Sequence, residues 1–149
     1  MKKIYILFLI LFSCAKIDYP WDSRALDNIL LENNKPIMLY FYATWWDPCA
    51  MLDAKTFSDT DLIKLAKENF VSLKIDAESE TGQKLFSHFR GTGLPLIIFL
   101  DSNGVEIDRF YGYKPAYEFS IKLENILNGT NTFTYFLSEF EKGNYNAEI

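Results

Sequence analysis

Two unbroken apolar runs, Ile37–Tyr42 and Leu96–Leu100, constrain the fold of this chain more than any other feature. A strand with one wet face alternates apolar and polar residues, whereas a strand that is apolar throughout needs cover on both faces. The segments around the two runs supply that cover. Asp22 or Ser23 can N-cap a helix with Leu26, Ile29 and Leu30 on one side, and Asn33-Asn34-Lys35-Pro36 ends it. After a loop at Ala43–Asp47, Pro48 sits where a first helical turn begins. Asp59 caps a helix carrying Leu62, Ile63, Leu65 and Ala66. Phe70–Ile75 is the next strand, and Thr81–Phe89 a helix ended by Arg90-Gly91-Thr92-Gly93. Asp101-Ser102-Asn103-Gly104 is a hairpin signal returning Val105–Tyr111 against Leu96–Leu100. Pro115 opens a last helix with Phe119, Ile121, Leu123, Ile126 and Leu127. The predicted order is α-β-α-β-α-β-β-α, an α/β fold with a mixed central sheet flanked by helices.

The bulk composition narrows the functional classes. A chain of 149 residues, 49% of them hydrophobic, has room for one packed domain and a short extension. The formal net charge is −5, and removing Met1–Ser13 takes Lys2 and Lys3 but no acid, leaving −7. An acidic chain without a basic cluster is a poor nucleic-acid binder, so no nucleic-acid partner is expected. Two cysteines, Cys14 and Cys49, and the single His88 supply neither a disulfide framework nor a zinc site. No metal or other cofactor is expected, and any covalent chemistry rests on the two thiols acting separately.

The two thiols have different settings. Lys2 and Lys3 precede the apolar stretch Ile4–Phe12, which is shorter than the roughly 20 residues a membrane-spanning helix takes and fits a signal-peptide core. It ends in Leu11-Phe12-Ser13-Cys14, which resembles the lipobox of bacterial lipoproteins, although Phe12 is bulkier than the usual residue there. The resemblance implies cleavage before Cys14 and lipidation of its sulfur, with a plain secretory signal or a retained anchor as alternatives. Residues 1–13 are then signal, 14–21 a tether, 22–128 the domain and 129–149 a helical extension. The location implied is the bacterial cell envelope, with the membrane reached through the lipid.

Trp45-Trp46-Asp47-Pro48-Cys49 lies at the junction of the first buried strand and the following helix. It resembles the thioredoxin active site, where W-C-G-P-C occupies that junction. Gly93-Leu94-Pro95 precedes the second buried strand as the thioredoxin cis-proline does, and Gly112 is also placed as in that family. Thr56-Phe57-Ser58-Asp59 and Leu94–Asp101 with Gly104 and Glu106 resemble a narrower branch. That branch is the C-terminal periplasmic domain of the bacterial thiol:disulfide interchange reductase and its stand-alone relatives. The likeness runs from about Leu26 to Leu127 and implies a thioredoxin fold with a cis Leu94–Pro95 bond.

The departures bear on function. The family's attacking cysteine, which works as a thiolate at a helix N-terminus, is replaced by Trp46, and only the resolving position, Cys49, keeps a thiol. Tyr40 occupies the strand position where thioredoxins often bury an acid, and Asp47 adds a negative charge beside the loop. An acylated Cys14 cannot supply the missing thiol, so no dithiol cycle is open to the monomer. Three readings of Cys49 stay open: a small buried side chain, a monothiol accepting a mixed disulfide or sensing oxidation, or a dimer disulfide or metal ligand in trans. Trp46 reads as a peptide contact or a lid, and His88 as an ordinary helix residue.

Asn128-Gly129-Thr130 reads as a helix-ending turn rather than a glycosylation site. Phe133, Phe136, Leu137 and Phe140 recur at helical spacing and predict an amphipathic helix docking on the domain. Glu139–Tyr145 also looks like the start of a helical repeat. The functional expectation is a binding module, with Trp45, Trp46, Asp47 and Pro48 facing Leu94 and Pro95 across a groove for an extended peptide. Its partner is an envelope protein or peptide, including a thiol-bearing one. The alternatives are a monothiol participant in thiol–disulfide exchange, with Cys49 as its catalytic residue, and a degenerate relative with a structural role.

Overall fold

The computed structural model describes residues 18–144. The signal segment, Cys14 and the last five residues of the extension lie outside the described residues. A five-stranded sheet runs in the order β1-β3-β2-β4-β5. Its central strands are the two apolar runs, β2 (Ile37–Tyr42) and β4 (Leu96–Leu100), which pair antiparallel with Leu39 opposite Ile98. β3 (Val71–Asp76) lies parallel to β2, and β5 (Glu106–Tyr111) returns antiparallel to β4. This is a mixed sheet flanked by helices, as the sequence predicts.

The period of two along β2 and β4 sends alternate side chains into two cores. Met38, Tyr40, Ile97 and Phe99 meet Leu52, Phe57, Leu62, Ile63, Phe119, Leu123 and Ile126 on one face. Ile37, Leu39, Phe41, Leu96, Ile98 and Leu100 meet Leu26 and Ile29 on the other. The first face carries α3 (Thr60–Asn69) and α5 (Ala116–Asn128), and the second α1 (Leu26–Glu32) and α4 (Glu80–His88). Asp59 caps α3 as expected, its carboxylate accepting from the N–H groups of Asp61 and Leu62. Gly129, in the left-handed region at φ 63°, closes α5, which is the turn read at Asn128–Thr130.

Four features differ from the sequence reading. The N-cap of α1 is Ala25, not Asp22 or Ser23, because Asp22 ends a two-residue strand, β1 (Trp21–Asp22), paired parallel with β3. The end of the segment read as a tether is therefore packed: Tyr19 is buried, 4.2 Å from the Trp21 ring and 4.8 Å from Phe57. The helix after the motif, α2 (Asp47–Met51), continues as a π-helical turn, Leu52–Thr56, closed by the Phe57 N–H on the Leu52 carbonyl at 2.8 Å. Finally, α6 (Phe133–Glu141) packs beside β5, yet the side chains of its stripe, Phe133, Phe136, Leu137 and Phe140, are largely exposed. Among the described residues no helix is long and apolar enough to cross a membrane.

Candidate functional site

The site forms where β2 ends and α2 begins, facing the loop before β4. Ala43 is buried at the strand end, and the chain turns through Thr44 and Trp45 to Trp46, whose extended backbone (φ −95°, ψ 112°) makes it the N-cap of α2. Pro48 falls in the first turn, where its missing N–H costs nothing, and the exposed Asp47 adds a negative charge to that turn. The cap has no side-chain acceptor of its own. The Trp46 side chain is engaged elsewhere.

Across from it, the Leu94–Pro95 bond is cis and Pro95 is buried. The Trp46 indole spans the gap and donates from Nε1 to the Leu94 carbonyl at 2.8 Å. Trp45 turns the other way and donates from Nε1 to Glu78 Oε1 at 3.0 Å, and the two indoles meet edge to face at 5.7 Å. Together with Ala77, Phe86 and Gly91–Leu94 they line an open groove of about 510 Å³. Trp45 is 66% exposed and Trp46 41%. Of the six residues expected to frame a groove, Trp45, Trp46 and Leu94 line this cleft, and Asp47, Pro48 and Pro95 are not among its lining residues.

The backbone ahead of Pro95 has one polar group open and one closed. The Leu94 N–H has no partner among the described residues, but the carbonyl is already taken by Trp46.

Cys49 sits one turn into α2, its N–H bonded to the Trp46 carbonyl at 2.9 Å and its side chain 1% exposed. Burial pushes the thiol above its ordinary range, opposed only in part by hydrogen bonds from the Ala43 backbone and the Tyr40 hydroxyl. The Asp53 carboxylate adds to the upward shift, and the Lys74 ammonium opposes it. A thiol that is both buried and held protonated is a poor nucleophile. Of the three readings of Cys49, a small buried side chain is the one this geometry supports.

Beneath the thiol lies a polar pair the sequence reading missed. Lys74 of β3 reaches under the site, its Nζ 2.7 and 2.8 Å from the two carboxylate oxygens of Asp53. It lies 4.5 Å from the Tyr42 ring centre and 5.5 Å from that of Tyr40. The π-helical turn sets this pair in place: Thr56, buried at its end, donates from Oγ1 to the Lys114 carbonyl at 2.6 Å. Tyr40, wholly buried, donates from Oη to the Cys49 carbonyl at 3.2 Å, and its phenol is driven far upward by burial. Glu78 and Phe86 of the groove were also missed. Lys74 gave no signal of its own in the sequence, because the strand face it occupies also carries Ser72 and Asp76. His88 is exposed at the end of α4 and is not among the residues lining the groove.

The comparisons with known proteins agree with this geometry. The profile of the thioredoxin-like domain matches residues 25–127. The thiol:disulfide interchange protein DsbD of Campylobacter jejuni is 33% identical over 109 residues, covering 72% of this chain and 19% of that protein. The chain thus spans about a fifth of the length of the curated relatives it matches. The Neisseria meningitidis DsbD C-terminal domain, solved in its oxidised form, superposes with a TM-score of 0.56 at 26% identity, over 66% of this chain and 87% of that one. A thioredoxin from Thermus thermophilus shares the fold with a TM-score of 0.65 at 20% identity, over 83% of this chain and 95% of that one.

Proposed function

The chain belongs to the thioredoxin-like domain family, and from that premise we propose that it is a peptide-binding module of the bacterial cell envelope with no dithiol turnover of its own. The relatives named as thiol:disulfide interchange proteins place exchange chemistry next to this fold. That chemistry needs an accessible thiolate to attack and a second thiol to resolve. The observation that carries the present reading is the exchange of roles at one loop: Trp46 at the attacking position, and behind it a single thiol 1% exposed. What remains open to a partner is the indole-lined groove, with the Leu94 N–H, unpaired among the described residues, on its edge. Those features suit an extended peptide that adds as a strand and sets alternate side chains into the groove.

The test pairs binding with thiol reactivity. Cysteine-free peptides bind wild type and Cys49→Ala alike, and a small alkylating reagent at pH 8 labels Cys49 on the order of 100-fold more slowly in the folded than in the denatured chain. The labelling accelerates as the pH is raised past the ordinary thiol range, because burial pushes the Cys49 thiol upward. Fast labelling at pH 8, with reductase turnover that Cys49→Ala abolishes, would establish the monothiol enzyme instead.

Export and a lipid on Cys14 complete the proposal. Each buried CH₂ contributes about 0.8 kcal/mol and a single acyl chain holds only marginally, so stable anchoring takes two or more chains. Tyr19, five residues after Cys14, is already packed into the domain, so such an anchor holds the domain at the membrane surface. Mass spectrometry of the protein from its native host finds an acylated Cys14 and no Met1–Ser13. An unmodified Cys14 thiol in a soluble mature form overturns the anchor and leaves the groove unaffected.

A further inference from the structure

Leu94 precedes β4 with one backbone group open and one closed. Its N–H has no partner among the described residues, and its carbonyl accepts from Trp46 Nε1 at 2.8 Å. The next carbonyl along, that of Pro95, is held inside the sheet by the Gly112 N–H at 2.9 Å. The Leu94 carbonyl is therefore the acceptor this edge has to give, and a side chain of the same protein occupies it. The occupying ring is 41% exposed, so it can leave without opening the core. Its neighbour is held differently. Trp45 is tied to Glu78 on the far rim at 3.0 Å and forms a wall of the groove.

We propose that Trp46 is a displaceable internal ligand of this groove, a gate that an incoming strand must move to reach the Leu94 carbonyl. The proposal rests on the peptide-binding reading and adds its regulation and selectivity. A ligand whose only bond replaces that of the indole gains nothing, because one N–H donor is exchanged for another. A ligand that also satisfies the Leu94 N–H and fills the groove over Phe86 gains both. The gate thus rejects short polar contacts and passes extended segments in one register, with apolar side chains at alternate positions. Glu78 on the rim and Asp47 beside Trp46 favour basic residues between them.

The experiment uses an array of cysteine-free decapeptides with Ile, Val or Phe at alternate positions and Lys or Ser between them. These are titrated against wild type, Trp46→Phe and Trp45→Phe. Trp46→Phe keeps an aromatic ring and loses the donor, so it binds the selected peptides about 3- to 10-fold more tightly than wild type, the worth of one neutral hydrogen bond. Trp45→Phe leaves the Leu94 carbonyl occupied and does not tighten binding. In wild type, the Trp46 indole N–H is protected from solvent exchange in the free chain and loses that protection on saturation with peptide. Its resonance is assigned by its loss in Trp46→Phe, and Trp21 and Trp45 serve as references. If peptides bind but Trp46→Phe binds no better, or the indole N–H stays protected in the complex, the gate is overturned and the peptide module stands. If no peptide binds wild type or Trp46→Phe, the peptide reading falls and the gate with it.

Discussion

Trp46→Cys is expected to convert a chain with negligible disulfide reductase activity into a working reductase, on the order of 100-fold above wild type. The substitution places a thiol at the N-cap of α2, where the backbone N–H groups of the first turn favour a thiolate. Cys49 lies one turn further on, its own N–H already bonded to the carbonyl of residue 46 at 2.9 Å. The introduced thiolate attacks a substrate disulfide and expels one of its sulfurs. Cys49 then attacks the mixed disulfide, closing an intramolecular bond and releasing the reduced substrate. An added thiol supply reduces that bond for the next cycle. Turnover stays below that of two-cysteine relatives for two reasons. Asp47 puts a negative charge beside the thiolate, and burial keeps the resolving thiol protonated. The assay compares wild type, Trp46→Cys and Cys49→Ala under one fixed thiol supply. Turnover by wild type that Cys49→Ala abolishes would make the natural chain a monothiol enzyme and remove the peptide-module reading. Silence from all three would mean the remaining thiol cannot resolve, and a structural role would become the better account.

What could be read from the sequence was whatever a short stretch of chain decides for itself. Ile37–Tyr42 and Leu96–Leu100 announce central strands because cover on both faces leaves no polar position. Asp59 announces a helix start because its carboxylate serves N–H groups two and three residues away. The features missed are settled by residues far apart. The bond from Trp46 to Leu94 joins positions 48 apart, and the Lys74–Asp53 pair joins a strand to a π-helical turn 21 residues earlier. β1 is two residues long, too short for any period to register, and exists because Tyr19 and Trp21 pack on Phe57. The stripe on α6 was legible as a stripe but not in its direction. A helical period marks a face without saying what lies opposite, and here that face is exposed.

Tyr40→Ala is expected to cost about 3–5 kcal/mol of stability, and Tyr40→Phe about 1 kcal/mol. The gap between them says what holds the floor of the site. The Tyr40 ring is wholly buried, 5.1 Å from Phe57 and 5.7 Å from both Trp21 and Tyr42. Deleting it opens a cavity bounded by three aromatic rings and removes one of the faces over which Lys74 lies. Deleting the hydroxyl alone frees one carbonyl, that of Cys49, which the helix still shields. For a domain whose whole stability is about 5–15 kcal/mol, the alanine variant moves the midpoint of denaturant unfolding far down and the phenylalanine variant moves it slightly. Equal losses in the two variants would put the weight on the hydroxyl, and an alanine cost below about 1.5 kcal/mol would show that the aromatic cluster is not what supports α2. The same pair of variants reads out at Cys49. With the ring gone, solvent reaches the thiol from beneath, burial no longer holds it protonated, and alkylation at pH 8 accelerates in Tyr40→Ala but stays slow in Tyr40→Phe.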